Sequence, residues 1–316
     1  MLMRGALRMV SAVYGPRLTV LIFHRVLSEP DPLFPDEVDC ARFDQIVEWI
    51  ASWFEVIPLE KAIAGLKSGV LPPRAACITF DDGYADNLTN AVPILKKHDV
   101  SATFFIATGF LDGGVMWNDR IIESIRQTNL SELDCSWLGC KKPIPVATVP
   151  EKRSALAVLI SAIKHLPAPE REDAVERVTS ACGARLPLDL MLSTTQVRQL
   201  RSADMGVGAH TVSHPILANL QLNRARREIA DSRDTLEAIL GERVGLFAYP
   251  NGKPGIDYLP EHVEMVESLG FDGALSTAWG ANRYSSSVYE LRRFTPWDRT
   301  RLRYSTRLLS NYISKQ

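Results

Sequence analysis

The chain has no excess of either charge sign. Its 316 residues carry 36 lysines and arginines against 37 aspartates and glutamates, a net charge of -1. That balance excludes the basic footprint of a nucleic-acid binder, so no nucleic acid is expected among its partners. Cysteine is sparse and unpatterned: the five lie at 40, 77, 135, 140 and 182, with no CxxC pair. Neither a disulfide framework nor a zinc knuckle is expected, and scattered thiols fit a reducing, cytoplasmic setting. No apolar run approaches the roughly 20 residues that a spanning helix needs. The N-terminus, MLMRGALRMVSAVYGPR, is a poor signal peptide because Arg8 interrupts the apolar stretch. It has a helical stripe of Met3, Leu7, Val10 and Tyr14. Such a stripe serves peripheral membrane contact or packing on its own domain. Repeats and low-complexity tracts are absent. Histidine is scarce too, at 24, 98, 165, 210, 214 and 262, so a pair at close spacing carries weight.

What is present alternates. Short apolar runs at 18–23, 75–80, 101–107, 205–210 and 244–250 read as strands, with further strands at 54–59, 271–277 and 289–294. Helical spacing falls between them, at 43–53, with Asp44 among the possible start residues, and at 223–240 and 260–270. Strand followed by helix, repeated this often, predicts a parallel sheet closed into a barrel. Residues of about 111–200 break the rhythm with helices and the proline-rich CKKPIPVATVP. They are expected to be a helical insertion at the catalytic end of one domain spanning 1–316. A segment of that size is not expected to build a large core of its own.

Two stretches carry the chemistry. ITFDDGY, at 78–84, sets Asp81 and Asp82 side by side at the end of an apolar strand, with Gly83 permitting a sharp turn. Adjacent side chains on a strand point to opposite faces, so only a turn lets both serve one site. Asp-Gly is also an ordinary turn dipeptide, and the pair alone decides nothing. GAHTVSHP, at 208–215, then places His210 and His214 four residues apart just past another strand. Pro215 disfavours helix at His214, so a short turn is expected. Parallel barrels build their sites at the strand C-termini. Two imidazoles and one carboxylate form a hydrolase metal set, with Asp81 or Asp82 as the third ligand and the other as a base.

TFDDGY followed by HTVSHP resembles the first two motifs of the polysaccharide deacetylases, carbohydrate esterase family 4. The resemblance runs from Leu18 to about Pro296, leaving out the insertion. It implies a distorted (β/α) barrel with seven or eight parallel strands. It implies a metal-dependent hydrolase that removes an N-acetyl or other acyl group from an amino sugar. It also implies roles: Asp81 as general base, and Asp82, His210 and His214 as ligands of one divalent metal ion, zinc by its donor set. FAYPNG, at 247–252, stands at the third motif, so Tyr249 and Asn251 are expected at the sugar groove, the Asn251 amide facing the oxyanion. LIFHRV, at 21–26, resembles the first strand of exopolysaccharide deacetylases.

Two departures bear on the site. Where the family often has an arginine in its third motif, this chain has Ala248, and its last motif, ELRRFTP, lacks the family's histidine. Arg293 or Arg292 is expected to brace Asp81 instead, and His24 to supply the acid. Trp117, in MWNDR, is expected near the barrel mouth, against a large, partly covered ligand. The expected substrate is a glycan or lipid-linked glycan precursor, met in the cytoplasm or at the inner face of the cytoplasmic membrane. A cyclic-amide hydrolase and a catalytically silent sugar-binding module are the competing readings.

Overall fold

The computed structural model describes residues 2–314, apart from the side chains of Leu2, Tyr14 and Ala168. Its strands are β1 (Thr19–Phe23), β2 (Glu55–Val56), β3 (Ala75–Phe80), β4 (Thr103–Ile106), β5 (Glu132–Leu133), β6 (Ile144–Pro145), β7 (Gly206–Ala209), β8 (Leu246–Ala248) and β9 (Gly273–Leu275). Its helices are α1 (Leu2–Tyr14), α2 (Cys40–Trp53), α3 (Leu59–Ser68), α4 (Val92–Lys97), α5 (Trp117–Gln127), α6 (Val149–Ile163), α7 (Ala168–Cys182), α8 (Thr194–Ser202), α9 (Leu222–Leu240), α10 (Pro260–Ser268) and α11 (Arg301–Ile313). They fall into two compact units. One runs up to Ser28, then through Val38–Leu111, and resumes at Leu192; the other is Glu29–Glu37 with Asp112–Met191.

The first unit is a parallel sheet in the order β1-β3-β4-β7-β8-β9, with β2 beside the first half of β3. The last segment closes it. Leu291 bridges in parallel to Leu275 at the β9 end, and Phe294 bridges to Leu21 of β1. Residues 291–294 thus act as a short, irregular eighth strand, and the expected distorted barrel is what forms. Its strands are shorter than the apolar runs, and the 54–59 and 289–294 runs shrink to two-residue pairing or isolated bridges.

Strand periodicity sorts the side chains. Val20, Cys77, Phe105, Leu246, Ala248, Leu275 and Leu291 join one core with Leu59, Ile63 and Leu66 of α3. The alternate residues Leu21, Phe23, Ile78, Phe80, Phe104, Phe247 and Phe294 join the larger core under the other helices. Asp81 continues the row of Cys77 and Thr79, and Arg293 continues that of Leu291. The barrel interior therefore receives both.

Helix starts follow capping rather than the apolar pattern alone. Helix α2 begins at Cys40, not near Asp44, because the Asp39 carboxylate accepts the Arg42 amide at 2.7 Å. Asp44 instead pairs with Lys97 and His98, each at 2.7 Å. The N-terminal stripe faces inward. Leu7 is fully buried, and Met3 and Val10 pack against the large core. The Tyr14 side chain lies outside the described residues.

The second unit holds α5, α6, α7 and an antiparallel pairing of β5 with β6, which the composition did not announce. It ends at Met191. Helix α8 belongs to the barrel unit, started by a reciprocal Ser193–Gln196 capping box. This unit has a core of its own, including Ile121, Ile125, Leu156, Leu159, Val175 and Val178. Residues 29–37 enlarge it beyond the expected insertion by adding Leu33, and Arg126 grips Asp31 there with two bonds of 3.0 and 2.7 Å.

Candidate active site

Asp81 leaves β3 with its amide bonded to the Phe23 carbonyl at 3.0 Å, which keeps it in strand register and pointing inward. The next residue breaks that register. Asp82 has φ 78° and Gly83 φ 88°, so the second carboxylate swings back toward the same barrel end. A side chain at Gly83 would also meet Ile106 at 3.0 Å. The two adjacent aspartates thereby serve one site, as a turn was expected to permit.

His210 follows β7, its amide bonded to the Ile106 carbonyl at 3.1 Å. His214 is brought to it by a turn, not by a helix. Thr211 and His214 both have positive φ, 64° and 52°. The Thr211 hydroxyl donates to the His210 carbonyl and accepts the His214 amide at 3.1 Å. Glu228 of α9 ties the same turn down, accepting the Val212 and Ser213 amides at 3.0 and 2.8 Å and the Ser213 hydroxyl at 2.7 Å. Four non-glycine residues with positive φ, Asp82, Thr211, His214 and Asn251, lie just past barrel strands at this end. Strain of this kind, of order 1–3 kcal/mol each, collects where side chains must be aimed.

Asp82, His210 and His214 converge, with one ligand atom from each inside a 4.8 Å span. Asp82 Oδ1 lies 3.4 Å from His210 Nε2 and 3.3 Å from His214 Nε2. Donors about 2.0–2.1 Å from a tetrahedral zinc stand roughly 3.3 Å apart, so these spacings fit a metal better than direct hydrogen bonds. The same Oδ1 is buried without a hydrogen-bond donor among the described residues, an orphan that a cation would satisfy. His210 Nδ1 sits 2.7 Å from the Ala248 carbonyl, which accepts its proton and leaves Nε2 as the donor atom. The residues present therefore fit a divalent metal.

Arg293 settles which late arginine meets Asp81. Its guanidinium donates to Asp81 Oδ1 and Oδ2 at 2.7 and 2.8 Å, while Nε donates to the Ser276 carbonyl at 2.8 Å. The Thr79 hydroxyl stands 3.4 Å away. Arg292 lies on the opposite face of the closing segment, where its amide bonds the Asn282 side chain at 2.8 Å.

Charges at the site oppose its burial. Burial alone would raise Asp81, but Arg293, His210 and His24 together outweigh it and hold the carboxyl below its ordinary range. Asp82 is likewise raised by burial and pulled well below it by His214, His210 and His24. Burial pushes His214 down to about 4 against the pull of Asp82, so its imidazole is neutral at pH 7. Burial opposes the proton on His210, yet Asp81 and Asp82 together raise its pKa.

The other expected residues fare differently. His24 is exposed immediately after β1, its carbonyl held by the Asn87 side chain at 2.8 Å. Phe23 pairs with Phe80 in parallel register, so His24 and Asp81 leave neighbouring strands at the same barrel end. Asn251 has φ 59°, and among the described residues its amide N–H has no acceptor. The Tyr249 side chain is not a groove residue. It is fully buried, stacked 3.8 Å from Tyr258, with its hydroxyl donated to the Tyr289 carbonyl at 3.1 Å. Trp117 belongs to the second unit, half-buried in the first turn of α5, with the Arg171 guanidinium 5.6 Å from its ring centre.

Sequence reading missed Glu228, Thr211 and the Ala248 carbonyl. In the sequence Ala248 marks only the place of an absent arginine, whereas its backbone carbonyl orients His210. Glu228 stands 14 residues beyond His214 on a polar helix and carries no local signal.

A family model described as polysaccharide deacetylase matches residues 68–132 and 171–274, over half of the chain. YxkH of Bacillus subtilis (strain 168) is 20% identical over 279 residues, 88% of this chain and 70% of YxkH. The poly-beta-1,6-N-acetyl-D-glucosamine N-deacetylase of Staphylococcus aureus (strain MSSA476) is 36% identical over 73 residues, 23% of this chain. That stretch spans only 25% of the staphylococcal enzyme's length. Among solved structures, the Streptococcus pyogenes deacetylase PplD shares the fold with a TM-score of 0.62 and 17% identity, covering 94% of this chain and 99% of PplD.

Proposed function

The chain belongs to the polysaccharide deacetylase family, and from that premise we propose that it hydrolyses the N-acetyl group of an amino sugar within a glycan or lipid-linked glycan precursor. The observation that carries the reading is one cluster: Asp82, His210 and His214 converging around an orphaned carboxylate oxygen, with Asp81 beside them in the grip of Arg293. The short stretch shared with the staphylococcal enzyme supports a β-1,6-linked N-acetylglucosamine polymer as the first substrate to try. The cytoplasmic setting belongs to the same proposal and rests on the five unpatterned, free cysteines.

A divalent metal, zinc by its donor set, would be held by Asp82, His210 and His214 and would supply Lewis-acid polarisation of the acetyl carbonyl and a more acidic water. Asp81, ionised by Arg293, takes a proton from the attacking water. Arg293 keeps both carboxylate oxygens aimed and contacts no substrate. The Asn251 amide, without an acceptor among the described residues, donates to the oxygen that gains negative charge as the C–O bond forms. His24 then protonates the sugar nitrogen as the C–N bond breaks, releasing acetate and a free amine.

The test is release of acetate and appearance of free amine from N-acetylglucosamine oligomers, after chelation and zinc reconstitution. Oligomer binding without acetate release under any divalent metal would favour the silent sugar-binding module. Turnover of cyclic amides alone would favour the small-ring hydrolase.

A further inference from the structure

We propose that the outward face of α1 and α11 is a docking surface for an anionic lipid bilayer. The inference goes beyond the catalytic reading and does not rest on it.

The apolar stripe of α1 that packs inward is Met3, Leu7 and Val10. The exposed side, which carries Arg4 and Arg8, has apolar side chains too. Met9 and Val13, one turn apart, are 68% and 72% exposed. Helix α11 repeats the arrangement. Tyr304 and Leu308 are buried, while Leu302 is 73% exposed and Ile313 46%. The two helices pack against each other. Arg17, just beyond α1, donates its amide to the Tyr312 hydroxyl at 3.3 Å and its guanidinium to the Tyr312 carbonyl. Met3, Ala6 and Met9 face Thr306 and Leu309 across a groove of about 570 Å³. Exposed apolar side chains thus gather along a helix pair rather than being scattered singly.

Charge chooses the occupant. Helices α1 and α11 contain Arg4, Arg8, Arg301, Arg303 and Arg307, and no aspartate or glutamate, in a chain whose net charge is only -1. Arg307 is paired with Asp298 and Arg301 stands over Trp53, whereas Arg4, Arg8 and Arg303 are exposed. A second copy docked face to face would set arginines against arginines. An anionic polymer would leave the apolar stripe in water. A bilayer with anionic headgroups accepts both features: apolar side chains enter the acyl boundary, and guanidiniums reach the phosphates.

The experiment is co-sedimentation of the full chain with phosphatidylcholine vesicles, with and without phosphatidylglycerol. Expected is binding to the anionic vesicles, on the order of ten-fold weaker without phosphatidylglycerol. Arg4→Gln with Arg8→Gln should weaken it by about ten-fold, and so should Met9→Ser, Val13→Ser and Leu302→Ser together. The thermal unfolding midpoint of each variant checks that the fold survives. Absence of binding to anionic vesicles, or equal binding to both kinds, would overturn the proposal. So would a concentration-dependent dimer that the apolar variant abolishes. Sedimentation needs no turnover, so failure here is distinct from failure of the deacetylase reading.

Discussion

Arg293 holds both oxygens of Asp81, at 2.7 and 2.8 Å, in the barrel interior, where both side chains are almost fully buried. The two residues are 212 apart in the chain, and each reaches the other because its strand exposes that parity to the interior. An unpaired carboxylate buried here would take up a proton and cease to be a base. Arg293→Gln leaves that charge uncompensated and is expected to lower stability by about 3–5 kcal/mol. Arg293→Lys keeps the charge but loses the two-pronged geometry, so it should unfold later than the glutamine variant while still losing turnover. Urea unfolding of the two variants beside wild type checks the order.

Asp81→Asn should leave metal content unchanged, because Asp81 lies outside the converging group of Asp82, His210 and His214. Turnover should fall on the order of 10²–10⁴-fold, the usual share of a general base. Metal content and acetate release are to be read on one preparation. Near-normal turnover would show that Asp81 is not the base.

Removal of the metal should abolish acetate release, and zinc should restore it. His214→Ala removes one of the three groups proposed to hold the metal, so the variant should neither retain zinc through dialysis nor regain activity on reconstitution. Wild-type rates in a thoroughly chelated sample would remove the metal from the mechanism.

Glu228 touches no ligand atom, yet it holds the turn that carries His214. Glu228→Ala frees two backbone amides and one hydroxyl, and zinc affinity should drop about 10–100-fold. Competition with a chromophoric chelator measures this. Unchanged affinity would mean that the positive-φ turn is rigid without its glutamate.

His24→Ala should depress the rate on sugar amides far more than on an activated aryl ester, whose leaving group needs no proton. Parallel assays on the two substrates decide. Equal losses would assign His24 a structural part and move the acid elsewhere.

Much of this site was legible in the chain. DDG after an apolar strand and H-x-x-x-H before a proline are local patterns, and their chemistry follows from side-chain type and strand exit. The inward direction of Asp81 follows from counting by twos along β3. The fold class was legible for the same reason, since alternation of strand and helix leaves few closed solutions. The choice between Arg292 and Arg293 was not. It depends on which neighbours the closing segment pairs with, and only Leu21 and Leu275, held by the packed barrel, set that register. Tyr249 misled because its motif position said nothing of Tyr258 and Tyr289, which claim its ring and hydroxyl.

By itself, then, the sequence determined the paired carboxylates and the two imidazoles, their order and the strand ends that present them, because these are properties of residues and their immediate backbone. The tertiary structure alone decided that Ala248 would orient His210, that Glu228 would anchor the His214 turn and that Leu33 would join a core with Ile121 and Leu159. Those pairings join residues far apart in the chain, and no local propensity encodes them; they exist because one packed arrangement buries the apolar faces and brings these particular groups within bonding distance.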